Sequence, residues 1–229
     1  MTLKLYKKDP SPPMRAVLMI AELLKLELEL YDMDMVNCEH LTPEYMEKNP
    51  LHSVPLLEED DFCLADSHAI LTYLVSKYGG EQQATLYPND LRLRATIDQR
   101  LHFDTSILFP AIKSIVKVLI SHDTSSASDE ILVHAAYDTM DRYLQKSKFV
   151  AGDNLTVADV SCIASISTLE FMVPIHEKYA KLREWFEMLK EEEWYKKGNE
   201  AGLFQVNIFL KKKKDLTGEE KCVNESDDV

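Results

Sequence analysis

The feature that most constrains this chain is a change of period near residue 80. Before it, extended and helical stretches alternate; after it, only helical spacing recurs. Residues 3–7 and 28–35 read as extended runs around a helical pattern at 13–26, which makes a βαβ unit. A short helical stretch follows at 43–48. Two extended runs at 54–57 and 62–64 are joined by the acidic turn Glu58-Glu59-Asp60-Asp61, and a helix at 67–78 closes the unit. Gly79-Gly80 and Tyr87-Pro88-Asn89-Asp90 then break the periodicity. Beyond them helical spacing covers about 91–120, 128–146, 157–171 and 179–190, with no credible strand between.

The order βαβαββα in so short a segment is the thioredoxin-like pattern, in which helices flank a mixed four-stranded sheet. The expected organisation is therefore an α/β thioredoxin-like domain at 1–79, a linker at 80–90, an all-α helical bundle at 91–210, and an acidic tail at 211–229. The tail is too polar to bury enough apolar surface, and it is expected to be disordered. The 229 residues are 45% hydrophobic, enough to fill a core in each half.

Charge and cysteine usage narrow the function classes. A formal net charge of −13 argues against a nucleic-acid partner, which needs a concentrated basic surface. The only basic run, Lys211 to Lys214, adjoins the acidic tail and reads as a solvated helix end. The first residues lack the apolar core of a signal peptide and no later stretch reaches membrane-spanning length, so a cytoplasmic protein without a membrane partner is expected. Cys38, Cys63, Cys162 and Cys222 are scattered without CxxC spacing, so reduced thiols are expected, with no metal site.

In a thioredoxin-like fold the loop before the first helix is the reactive position, because the helix N-terminus offers free N–H groups and a positive dipole end. Here it reads Asp9-Pro10-Ser11-Pro12-Pro13 and holds no cysteine, which rules out thiol exchange there. Ser11 is either a simple helix cap or a catalytic hydroxyl. Val54-Pro55 precedes the third strand, where a cis bond is expected to turn the Val54 N–H and C=O toward a ligand. Asp66-Ser67-His68 at a helix start suits an α-amino acid head group, its carboxylate held by the N–H groups and its ammonium by Asp66. Thr156-Val157-Ala158-Asp159 reads as a capping box, a folding feature whose loss costs about 1 kcal/mol.

Together, Ser11-Pro12-Pro13, His52-Ser53-Val54-Pro55, Asp66-Ser67-His68-Ala69-Ile70 and the segment from Ala151 to Asp159 resemble the glutathione S-transferase family over roughly residues 3–210, and within it the insect delta/epsilon-like class, epsilon favoured. The resemblance implies a detoxifying transferase that uses glutathione as co-substrate, takes a small hydrophobic electrophile and forms a homodimer. Specialists acting as peroxidase, dehydrochlorinase or steroid isomerase, and non-catalytic carriers of hydrophobic ligands, remain alternatives. By the same resemblance Ser11 donates to the glutathione sulfur, Val54 beside Pro55 pairs with the cysteinyl backbone, Asp66 and Ser67 hold the γ-glutamyl end, and His40 and His52 face the glycine carboxylate. His68 is a further candidate glutathione ligand. Lys113 falls where related proteins carry arginine, and a lysine offers only a point charge in place of a bidentate fork. Candidate walls for the second substrate are Met35, Phe109, Ile112, Val116, Leu119 and Ile120.

Overall fold

The computed structural model describes residues 3–121 and 127–224, with side chains described at 3–117 and 129–208. Its first part comprises β1 (Leu3–Lys7), α1 (Pro12–Leu24), β2 (Glu29–Asp32), a 3-10 turn at Glu39–Leu41, α2 (Pro43–Lys48), β3 (Leu56–Glu59), β4 (Phe62–Ala65) and α3 (Ser67–Tyr78). The sheet order is β2-β1-β3-β4. β1 runs parallel to β2 and antiparallel to β3, which pairs antiparallel with β4. This is the mixed thioredoxin-like sheet. Register shortens the acidic turn to Asp60-Asp61, because Glu58 and Glu59 pair with Cys63 and Phe62 inside the ladder. Glu59 is drawn in by its side chain, which accepts from Lys77 at 2.7 Å and from the Tyr73 and Tyr78 hydroxyls.

The second part is helical. The segment expected to be linker holds a 3-10 turn (Gly80–Gln82) and α4 (Gln83–Leu86). Then come α5 (Leu91–Phe103), a π-helical turn (Asp104–Leu108), α6 (Phe109–Ser121), α7 (Ala127–Leu144), α8 (Val157–Met172), α9 (Ala180–Lys190) and α10 (Glu193–Asn224). The π turn has a local cause in Pro110: a proline inside a helix lacks the N–H that would bond the carbonyl four residues back and crowds it, so the ladder must widen just before. The tail departs from expectation. α10 continues to Asn224, since a helix anchored by its first half adds residues without repeating the nucleation cost; residues 225–229 lie outside the described residues.

α1 joins the two halves. It packs on α3 and on α8 and α10 of the bundle. Seven β1 and α1 residues, from Leu3 to Ile20, share one apolar core with α8, α9 and Tyr195, while Tyr6, Met33, Tyr45 and Leu56 form a smaller cluster under α2. The approach of α10 is close enough to require glycine. A Cβ on Gly198 would lie 2.6 Å from the Met19 backbone nitrogen, and one on Gly202 would lie 2.3 Å from the Asp9 carbonyl oxygen.

α8 begins at the Thr156–Asp159 capping box. Asp159 is wholly buried and accepts from the Thr156 N–H and hydroxyl, each at 2.9 Å. It also takes the Val150 N–H at 2.9 Å and the Trp185 indole N–H at 3.0 Å, so the same carboxylate fastens the preceding loop and α9. Burial still pushes its pKa up to about 6.

Candidate active site

A cleft of about 300 Å³ opens where the N-terminus of α1, the start of β3 and the N-terminus of α3 meet the π turn and α6. Its walls include Ser11, Val54, Pro55, Asp66, Ser67, His68, Phe109 and Lys113, eight of the residues singled out from sequence. Pro13, Ser53, Asp104, Thr105 and Ser165 complete it.

Ser11 is the N-cap residue of α1, in extended conformation, yet its hydroxyl makes no capping hydrogen bond. The two prolines that follow explain this in part, since Pro12 and Pro13 have no N–H to offer it. The hydroxyl therefore lines the cleft at a helix N-terminus without serving the helix. The Val54–Pro55 bond is cis. Asp66 caps α3, its Oδ1 accepting from the N–H groups of His68 at 2.9 Å and Ala69 at 3.1 Å. It does so at φ 74°, in the left-handed region that a non-glycine residue occupies at a cost. Ser67 is buried directly after it.

The His68 ring faces the helical half. Its Nε2 lies 3.1 Å from Asp104 Oδ2 and 2.7 Å from Ser161 Oγ, and its Nδ1 lies 3.0 Å from the Thr105 hydroxyl. A carboxylate only accepts, so Nε2 carries a proton, while Nδ1 pairs with the Thr105 hydroxyl. Asp104 is itself buried and takes Ser161 Oγ at 2.5 Å and Ser165 Oγ at 2.6 Å. His68 thus ties α3 to the π turn and α8, which sets the width of the cleft.

Other candidates lie elsewhere. His40 and His52 lie near each other, ring centroids 6.2 Å apart and tilted by 45°, but outside the cleft walls. His40 Nδ1 is buried with no partner, and His52 is held at φ 43°. Lys113 Nζ sits 4.8 Å over the Phe109 ring. Among the apolar candidates whose side chains are described, only Phe109 reaches the cleft. Ile112 is 5% exposed and belongs to the core, Val116 packs against that core, and Met35 packs against the cluster under α2. The helical period puts Ile112 and Val116 on one face of α6, and that face turns inward. The side chains of Leu119 and Ile120 lie outside the described residues.

Asp104, Thr105 and Ser165 were not legible as site residues. One signal was present: Ser161, Ser165, Ser167 and Thr168 interrupt an otherwise apolar helix, and buried hydroxyls imply polar partners. Among the described residues, no group of three or more His, Cys, Asp and Glu is placed to hold a metal ion, and no helix is long and apolar enough to cross a membrane.

Residues 1–76 match the sequence family described as "Glutathione S-transferase, N-terminal domain" and residues 113–197 that described as "Glutathione S-transferase, C-terminal domain". Glutathione S-transferase 1 of Manduca sexta is 45% identical over 207 residues, covering 88% of this chain and 94% of the relative. The chain belongs to the glutathione S-transferase family. Solved transferase structures extend the likeness to the whole fold. An epsilon-class glutathione S-transferase from the housefly, Musca domestica, superposes with a TM-score of 0.87 at 38% identity, covering 93% of this chain and 98% of that one. A glutathione transferase homolog from Drosophila mojavensis, with bound glutathione, gives 0.85 at 39% identity, covering 93% and 97%.

Proposed function

We propose that this transferase conjugates the glutathione thiolate to small hydrophobic electrophiles in the cytosol, as a homodimer, with the thiolate stabilised by Ser11. The observation that carries the reading is the Ser11 hydroxyl, lining the cleft at the start of α1 and making no capping hydrogen bond. A free thiol titrates near 8.5, and the thiolate is the nucleophile, so the site must favour the anion. A hydroxyl donor at a helix N-terminus lowers that pKa by roughly two units, worth about 2.7 kcal/mol. Ser11 is not itself the attacking group.

In this reading glutathione lies along the first domain. The Val54 backbone pairs with its cysteinyl unit, and Asp66 and Ser67 hold the γ-glutamyl head group. His40 and His52 take the glycine carboxylate. The role of His68 is positional, since both its ring nitrogens are engaged with Asp104, Ser161 and Thr105. Phe109 and Lys113 border the side from which the electrophile approaches. The bound glutathione of the Drosophila mojavensis relative supports the choice of co-substrate.

The test follows conjugation of glutathione to a chromogenic aryl halide in wild type and Ser11→Ala. Turnover falling at least about tenfold, with glutathione binding retained, is the expected result. Equal turnover in the two proteins removes Ser11 from the mechanism, and tight glutathione binding with no consumption of any electrophile points to a carrier.

A further inference from the structure

α1 carries a second polar group close to the cleft, one that the reading above leaves idle. Arg15 is 0% exposed, one helical turn beyond Ser11, whose carbonyl accepts the Arg15 N–H at 3.1 Å. Its guanidinium lies between α1, α8 and α10. Nη1 donates to Ser167 Oγ at 3.0 Å and to Asn199 Oδ1; Nη2 donates to the Ala164 carbonyl at 3.1 Å and to Thr168 Oγ1. All four acceptors are neutral, and Nε is buried with no partner. A buried cation normally finds an anion, and an apolar side chain would fill such a space without the desolvation cost.

The surroundings supply no carboxylate contact. From α10, Tyr195 acts electrostatically on Arg15, and Glu200 acts on Tyr195. α8 presents only hydroxyls and a carbonyl on this side, while Ser161 and Ser165 hold Asp104 on its cleft side. The loop before α1 contributes Asp9, which is paired with Lys7 at 2.5 Å, and α3 contributes the neutral Ser67. Around the cleft itself stand Asp66, His68, Asp104 and Lys113. Burial draws the Arg15 pKa down to about 10, which leaves it protonated at neutral pH.

Two elements carry this charge to the cleft wall. Ser11 stands four residues before Arg15 on α1, and Ser165, which lines the cleft, follows the Ala164 carbonyl that Arg15 holds. We infer that Arg15 is an electrostatic positioning residue whose uncompensated charge favours the thiolate of glutathione bound at Ser11, the thiolate being the anion this buried cation otherwise lacks. The inference rests on the functional reading above.

Four helical residues rise about 6 Å, which puts the guanidinium roughly 10 Å from a sulfur at Ser11. At an effective dielectric constant of about 20, a unit charge at that distance shifts the thiol by about one pKa unit. Below the pKa, that is about a tenfold change in thiolate fraction.

The experiment titrates the ultraviolet absorbance of the thiolate in the glutathione-saturated full-length protein, with glutathione affinity measured alongside. Wild type is compared with Arg15→Lys, Arg15→Gln and Asn199→Asp. The last leaves the arginine in place but sets a carboxylate against it, so it keeps the fold if Arg15→Gln does not. Expected are a bound-thiol pKa raised by about one unit in Arg15→Gln and Asn199→Asp, and largely restored in Arg15→Lys. A further expectation separates the charge from a packing role: Asn199→Asp should melt no lower than wild type while conjugating more slowly below the thiol pKa. A folded, glutathione-binding Asn199→Asp whose thiol pKa stays within about 0.3 unit of wild type overturns the inference and leaves the role of Ser11 standing. Wild type that neither binds glutathione nor turns over overturns the functional reading itself.

Discussion

Asp159→Ala removes the acceptor that the start of α8 shares with two other segments. In the native protein its carboxylate accepts three N–H groups, from Val150, Thr156 and Trp185, and one hydroxyl. The Thr156 hydroxyl can rotate to another acceptor, but the N–H groups are fixed, and Asp159 and Thr156 are 0% and 1% exposed. Each orphaned buried donor costs about 1–3 kcal/mol, so three give roughly 4 kcal/mol once partial relaxation is allowed. That is about four times what a cap alone contributes. The assay is urea denaturation at fixed protein concentration, followed by Trp fluorescence and helical circular dichroism. With a slope near 3 kcal/mol/M, the midpoint should fall by about 1.3 M. A pH signature accompanies it. The folded pKa of about 6 lies above the ordinary value of 3.8, so the folded state binds more protons between these limits. The contribution of this group to stability is therefore fullest below about 3.8 and is lost as pH rises toward 6, by about 3 kcal/mol in all. Asp159→Asn should flatten that slope. A loss below about 1.5 kcal/mol for the alanine variant at unchanged slope would refute the idea that three segments hang on one carboxylate.

Gly202→Ala puts a methyl group against the Asp9 carbonyl, which cannot yield as a flexible side chain could; a thermal melt should show a loss of about 2 kcal/mol, with the loop carrying Ser11 displaced and turnover reduced. His68→Ala releases the bridge between α3 and Asp104 while leaving Ser11 in place, so steady-state kinetics should show KM for glutathione raised about fivefold or more with a smaller change in kcat. Burial opposes ionisation of Glu59, but Lys77, Tyr73 and Tyr78 hold its pKa down at about 2 against an ordinary 4.5. Its stabilising contribution is present above about 4.5 and is lost as pH falls toward 2, so Glu59→Gln should weaken the acid-induced part of unfolding measured across that range.

The sequence by itself determined the element types and most of the cleft's first-domain wall. Alternating then purely helical periods separated the two halves, and local signals marked Ser11, Val54-Pro55, Asp66 and Ser67, because caps, prolines and strand starts act on neighbours in the chain. The Thr156–Asp159 box was legible for the same reason, though only as a cap. What tertiary structure alone decided is whatever depends on partners far apart in sequence. Asp159 also secures Trp185, 26 residues on. His68 meets Asp104 and Ser161 across 36 and 93 residues. The α6 stripe containing Ile112 points into the core, with Phe109 and Lys113 turned to the cleft. A hydrophobic period shows that a face is covered, but the same residue types cover it whether the neighbour is another helix or a bound electrophile. Arg15 is the sharpest instance. In sequence it is one more charged residue in the first turns of a helix, and only the packing of α8 and α10 over α1 removes it from water.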